Sequence, residues 1–117
     1  MSLPKFEDAT FTIECHWEDT SIEDHFSEIG KECLDKLIAR LENGDIWAFC
    51  TVEVIAEFEG CKGSDFLGGC SYLDENDFKT GGYWEDMQKE SFRELVMEVY
   101  VMRQKELGLE LVNRLSV

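Results

Sequence analysis

Two histidines and five cysteines are the side chains of this sequence best suited to nucleophilic or redox chemistry. Cys15 and His16 are adjacent, so on a strand their side chains point to opposite faces and cannot form a thiolate–imidazole pair. His25 lies beside the apolar stripe of a predicted helix, and we expect both histidines to be solvated edge residues. The sequence contains no Cys-x-x-Cys pair, the spacing typical of a zinc knuckle or a thioredoxin-type site. Nucleophilic catalysis is therefore not predicted.

The cysteines are Cys15, Cys33, Cys50, Cys61 and Cys70. Because their number is odd and no export signal opens the sequence, we expect reduced thiols and a cytoplasmic location. Cys15, Cys33 and Cys50 fall on apolar faces of predicted elements, where a thiol acts as a small apolar side chain. We expect these three thiols to be buried.

An oxygen-rich segment, Asp74-Glu75-Asn76-Asp77, lacks the central glycine and the distal glutamate of a calcium-binding loop. We predict no metal site and no cofactor. No pair of carboxylates has the apolar surroundings that would raise a pKa for acid–base catalysis. The alternative is a small enzyme or metal-dependent domain that uses Asp65, Cys70 and Asp77 near the end of a hairpin, where two Gly-Gly pairs flank thiol and polar side chains.

The formal charge of −15, from 26 acidic and 11 basic residues, decides which partners the chain can bind. It repels nucleic acid and anionic lipid, since binding either requires lysine and arginine to neutralise phosphates. Two predicted helices carry rows of carboxylates, and exposed aromatic rings are typical binding hot spots. The predicted partner-binding residues are Glu23, Glu28, Glu32, Asp35, Glu90, Glu94, Glu98, Trp47, Phe49 and Trp84.

These residues predict a non-catalytic acidic factor that binds a basic or nucleic-acid-binding protein. In its sharpest form the factor is a nucleic-acid mimic, whose carboxylate rows occupy a basic groove. A third alternative is a structural role, in which Trp47 and Phe49 lie on an open sheet face and form a homodimer.

Hydrophobic periodicity predicts three strands. Apolar residues at every second position predict a strand over residues 10–17, and a β-branched and aromatic run predicts a longer strand over 46–58. Residues 66–73 are expected to return as the second strand of a hairpin. Within that strand, Gly68-Gly69 indicates a bulge or a close backbone approach.

Two helices are predicted from apolar stripes with helical spacing. The first runs from Ser21 to Asn43, and the second begins at Tyr83 after a polar loop over 74–82. Gly108 is expected to interrupt the second helix.

The order β-α-β-β-α predicts a two-layer α+β domain, with a three-stranded sheet and both helices on one face. Because a helix joins the first two strands, they are expected to be parallel if they are neighbours. The length of 117 residues predicts one globular domain over 1–117, with 1–9 and about 108–117 as loose ends.

The hairpin and the loop after it resemble a family of small uncharacterised bacteriophage and prophage proteins. The resemblance covers about residues 22–100. The segments that carry it are Trp47-Ala48-Phe49-Cys50, Gly63-Ser64-Asp65-Phe66-Leu67-Gly68-Gly69-Cys70-Ser71-Tyr72, Asp77-Phe78 and Gly81-Gly82-Tyr83-Trp84-Glu85-Asp86-Met87. It implies a phage or mobile-element protein that acts on a host or phage partner in a bacterial cytoplasm, and it assigns no functional residue.

Overall fold

The computed structural model describes residues 3–115 and has an α+β fold. Over those residues, three strands form one antiparallel sheet in the order β1-β2-β3. The strands are β1 (Thr10–Trp17), β2 (Cys50–Phe58) and β3 (Cys61–Cys70), and the helices are α1 (Ile22–His25), α2 (Lys31–Glu42), α3 (Glu75–Thr80) and α4 (Tyr83–Leu115). Short 3-10 turns at Phe6–Asp8 and Ile46–Ala48 precede β1 and β2.

The path from β1 to β2 differs from the predicted crossover. β1 and β2 are antiparallel neighbours, from Thr10 opposite Glu57 to Trp17 opposite Cys50. The expectation of parallel strands was wrong because α1 and α2 do not carry the chain back along the sheet. α2 packs instead against the Ile46–Ala48 turn, so β2 starts beside the end of β1.

The predicted helix over 21–43 is divided into two. Residues 26–30 separate α1 from α2, and Gly30, directly before α2, is at φ +87°, a conformation that only glycine adopts without strain. α1 buries Ile22, whereas α2 contains no buried residue. Cys33 is exposed, so its predicted burial was wrong. The apolar spacing predicts one continuous helix, whereas the chain turns over residues 26–30, so the stripe does not continue along one helix face.

The core lies between the sheet and α4. Alternate residues of β2 have no exposed surface, and they are Cys50, Val52, Val54 and Ala56. α4 packs across β3 and β2. It contributes Met87, Leu95 and Val99 to the core. The predicted apolar face of the central strand is therefore confirmed. Residues 46–48, assigned to the same strand by the sequence pattern, form a 3-10 turn instead.

α4 approaches the sheet closely at Gly63 of β3. A Cβ placed on Gly63 would lie 2.2 Å from the backbone nitrogen of Leu95 and 2.3 Å from the carbonyl oxygen of Ser91. Ser91 is fully buried at this contact, and its hydroxyl donates to the carbonyl of Gln88 at 3.1 Å. A side chain at position 63 would therefore separate helix and sheet.

The predicted irregularity at Gly68-Gly69 is confirmed. Cys50 pairs with Cys70 but Val52 pairs with Leu67, so β3 has an extra residue between these pairs. Gly69 is at φ +65°, and the ring of His25 occupies the space where a Cβ would stand. The strand begins at Cys61 and ends at Cys70, rather than spanning 66–73.

α4 contains 33 residues and runs without a break through Gly108 to Leu115. The predicted interruption was wrong because one glycine inside a helix costs only about 1 kcal/mol relative to alanine. The helix is about 50 Å long at 1.5 Å per residue. Residues 104–115 are exposed on every side. The radius of gyration is accordingly 19.7 Å, against about 13 Å for a compact domain of this length.

Candidate interaction surfaces

The predicted carboxylate row on α4 lies beside its sheet-facing side. Glu90, Glu94 and Glu98 are exposed and occur every four residues, about 6 Å apart along the axis. Glu90 pairs with Arg93 at 3.3 Å. Among the described residues, Glu94 and Glu98 have no cationic side chain within 4 Å. Two of the three carboxylates are therefore free to bind an external cation.

The predicted acidic residues of the first helical region are also exposed, but they are distributed over α1, the turn after it and α2. Glu23 accepts a hydrogen bond from the hydroxyl of Ser21 at 2.6 Å, and this bond lowers the pKa of Glu23. Glu32 lies 3.7 Å from Lys36. Glu28 and Asp35 complete the group. Because α2 packs on the Ile46–Ala48 turn and α4 on β2 and β3, the two acidic groups belong to different parts of the fold.

The three aromatic residues predicted to bind a partner are packed inside the fold. Phe49 is only 4 % exposed, with its ring centroid 5.5 Å from those of His25 and Phe26. Trp47 and Trp84 are half-buried on either side of Phe78, at 6.2 and 6.4 Å. The expectation that Trp47 and Phe49 lie on an open sheet face was wrong. α1 covers Phe49, and the loop around α3 covers Trp47.

The thiols of Cys50 and Cys70 are buried in the core, and Cys15, which was predicted to be buried, is half-buried against them. The sulfur atoms of Cys15 and Cys50 are 3.8 Å apart. Burial raises the pKa of Cys50 to about 12 and the pKa of Cys15 and Cys70 to about 11. These thiols are therefore protonated at neutral pH, and a protonated thiol is a poor nucleophile.

The residues of the predicted alternative enzyme site occupy three separate settings. Cys70 borders an open cavity of about 310 Å³, which Phe26, Tyr72 and Tyr83 also line, but its thiol donates to the carbonyl of Leu67 at 3.1 Å. Asp65 is opposite Val54, five residues along β3 from Cys70, or roughly 16 Å at strand spacing.

Asp77 has a structural partner. Its carboxylate accepts the backbone N–H of Leu73 at 2.9 Å, while its own N–H donates to Asp74 at 2.8 Å. The oxygen-rich segment of the sequence is therefore the capped start of α3. Its carboxylates satisfy backbone donors that a helix N-terminus leaves unpaired.

Glu18, which the sequence analysis did not single out, clamps the bulge of β3. Its carboxylate accepts hydrogen bonds from the backbone N–H of Gly69 and from the hydroxyl of Thr51, the latter at 2.7 Å. These bonds, that from Gly69 above all, hold the pKa of Glu18 below its usual value. His25 covers Gly69 from the other side. The Gly-Gly pair was the only sequence signal for this arrangement.

A second cluster missed by the sequence analysis joins Glu14, His16 and Glu53 on the polar face of the sheet. His16 Nε2 lies 2.8 Å from Glu53 and 3.9 Å from Glu14, and the hydroxyl of Ser64 donates to Glu53 at 2.7 Å. The ligand atoms lie within 4.8 Å of one another, a spacing that would admit a divalent cation. Glu14 and Glu53 are direct cross-strand partners, and the imidazole of His16 lies close to both carboxylates.

Comparison with protein-family models, with curated proteins and with solved structures found no match to the chain. The resemblance to phage proteins therefore stays a prediction. Across residues 3–115, no helix combines the length and the apolar character needed to span a membrane.

Proposed function

We propose that this protein is a non-catalytic acidic factor that binds a basic or nucleic-acid-binding protein. The observation that carries the proposal is the net charge of −15, of which the exposed carboxylates of α4 and of the α1–α2 region are a part. The proposal adopts a two-layer arrangement, with α4 on the apolar face of the sheet and its acidic residues directed to solvent.

The carboxylate spacing supports a basic partner more directly than close mimicry of nucleic acid. Glu94 and Glu98 are about 6 Å apart along the helix axis, whereas one strand of a duplex carries a phosphate about every 3.4 Å. A mimic would therefore need the α4 row and a second acidic group to act together. A basic protein surface needs only local charge complementarity, which speeds association and sets specificity.

The test compares two double variants with the same change in net charge. Glu94→Gln/Glu98→Gln removes the unpaired part of the α4 row, and Glu7→Gln/Glu59→Gln removes two exposed carboxylates elsewhere. Immobilised wild-type protein is expected to retain host proteins in a salt-dependent manner, because screening weakens exposed charge pairs. The row variant should lose most of that retention, and the control variant should keep it.

Two results would contradict the proposal. One is equal retention by the row and control variants, and the other is a set of bound proteins whose retention does not fall with salt. Competition with heparin separates the two forms of the proposal. A partner that uses its nucleic-acid-binding groove is displaced by heparin at low concentration. A partner that binds through another basic surface is displaced only when heparin is concentrated enough to screen charges as added salt does.

A further inference from the structure

The C-terminal half of α4 carries an exposed apolar stripe, which Leu3 adjoins at one edge near Tyr100. Taking Met97 as heptad position a, positions a, d and e run along one side of the helix. They are occupied by Met97, Tyr100 and Val101, then by Gln104, Leu107 and Gly108, then by Leu111, Arg114 and Leu115. All nine are exposed. We call these nine residues the α4 seam.

The α4 seam is directed away from the protein's own core. Met87, Leu95 and Val99 face the sheet, and at 100° per residue their mean direction lies well over 90° from that of the seam. The stripe is therefore not a continuation of the core-facing side. An exposed amphipathic stripe with a 3.5-residue repeat is the pattern of a helix that packs on another helix.

We propose that the α4 seam is a homodimer interface in which the helices of two copies pack antiparallel. The seam begins beside Glu94 and Glu98 of the α4 carboxylate row, but the proposed contact between helices does not use their carboxylates. A cavity of about 520 Å³ beside the seam, bordered by Leu3, Tyr100, Gln104 and Leu107, offers space for side chains of the second helix.

We assign a second copy of the chain as the binding partner, because one α4 seam presents an apolar surface that another α4 seam can cover. Of the large apolar side chains exposed on residues 3–115, most of those outside 97–115 are isolated on separate elements, as with Trp17, Phe66 and Leu73. The α4 seam is thus an extended apolar stripe, and in a dimer it would pack on the same stripe of the second copy. A closed two-fold contact also buries both seams at once and leaves no open chain of subunits.

The charge distribution selects the antiparallel orientation. Residues 101–115 contain three basic and two acidic side chains, although the whole chain has a net charge of −15. Two helix ends can therefore approach each other without strong repulsion. The rest of each copy, outside residues 101–115, carries the negative charge. Antiparallel packing places these two acidic parts at opposite ends of the dimer, whereas parallel packing would bring them side by side.

The flanking g positions give the same orientation. Arg103 and Glu110 occupy successive g positions of the seam. In an antiparallel pair, g faces g, so Arg103 of each copy would meet Glu110 of the other. In a parallel pair, g faces e, and the e positions hold Gly108 and Leu115, which offer no charge.

The test measures the mass of the full chain by sedimentation over a range of concentrations. Leu111→Gln removes an apolar group from the seam, and Leu109→Gln, on the opposite side of the helix, is the matched control. These leucines are 57 % and 64 % exposed, so neither change disturbs the monomer core. We expect a dimer whose Kd rises at least about tenfold in Leu111→Gln, because burial of a leucine is worth more than 1.4 kcal/mol, and hardly changes in Leu109→Gln.

Orientation is tested by charge reversal. Arg103→Glu and Glu110→Arg should each weaken an antiparallel dimer, and the double variant should restore it. A wild-type monomer up to the solubility limit, or equal weakening by Leu109→Gln and Leu111→Gln, would overturn the interface. Single reversals that leave the Kd unchanged, or a double variant that is not restored, would overturn the antiparallel orientation. Circular dichroism of each variant confirms that α4 remains helical.

Discussion

Replacing Gly63 by alanine tests whether α4 and the sheet are in direct backbone contact. The added methyl group would lie 2.2 Å from the nitrogen of Leu95 and 2.3 Å from the carbonyl oxygen of Ser91. Ordinary contact needs about 3.4 Å, so the helix must move away by about 1 Å. Neither obstructing atom belongs to a side chain that can rotate aside. The strain therefore has to be relieved by separating two packed elements.

The expected cost follows from overpacking. An extra methyl group in a tightly packed core usually costs about 1–3 kcal/mol, and an obstruction by backbone places Gly63→Ala at the upper end, near 3 kcal/mol. A domain of this size has a free energy of unfolding of roughly 6–15 kcal/mol. The variant should remain folded but show a clearly lower midpoint in urea, followed by circular dichroism at constant m-value.

The matched control is Gly108→Ala, since a Cβ there meets no atom within 4 Å. Because Gly108 belongs to the α4 seam, both variants are compared at a concentration at which the protein is monomeric. Alanine in a helix is favoured over glycine by about 1 kcal/mol, so this variant should gain stability. The two glycine-to-alanine changes thus have opposite predicted signs. A Gly63→Ala variant whose free energy of unfolding stays within about 0.5 kcal/mol of wild type would refute the close approach of α4 to β3.

Three further predictions concern other parts of the fold. The lowered pKa of Glu18 means that its contribution to stability is present above the unfolded-state pKa and is lost as the pH falls through the lower folded-state pKa. Glu18→Gln should therefore flatten the acid side of a stability–pH curve measured by urea unfolding; an unchanged acid side would contradict the clamp. Iodoacetamide should modify exposed Cys33 much faster than Cys70, whose buried thiol has a pKa raised to about 11, and peptide mass spectrometry in which both react equally would argue against that burial. Arg40→Ala should lower the free energy of unfolding by about 1–3 kcal/mol, because this guanidinium donates to Asp45 at 2.8 Å and to the backbone carbonyl of Tyr72, just after β3, at 2.6 Å. Lys36→Ala, in an exposed ion pair, should cost less than about 0.5 kcal/mol, and similar losses in the two variants would remove the special role of Arg40.

Predictions from the sequence held where a pattern depends on neighbouring residues. Cys50, Val52, Val54 and Ala56 are apolar at every second position, and this period fixes which side of β2 can be buried wherever the strand lies. Gly68-Gly69 indicated an irregular strand because glycine alone is tolerated at such a position. The start of α4 at Tyr83 was likewise found from helical spacing.

The same reasoning failed where a distant element decides the outcome. Phe49 faces the predicted open side of the sheet, but α1 returns to cover it. Glu18, Thr51 and Gly69 lie on three different segments of the chain, so no spacing in the sequence could have connected them. The residues after about 108 are predicted as a loose end because a glycine can interrupt a helix, whereas α4 continues through Gly108 to Leu115.

The amino-acid sequence by itself determined the charge of this protein, the apolar side of its central strand and the helical character of its long final segment. These properties follow from side-chain chemistry and from the local geometry of the backbone. Only the tertiary structure decided that β1 and β2 are antiparallel, that Phe49 is buried and that the end of α4 projects alone. Each of these depends on contacts between segments that are distant in the sequence. A residue is buried only when such a segment packs against it, so burial cannot be assigned from one segment alone.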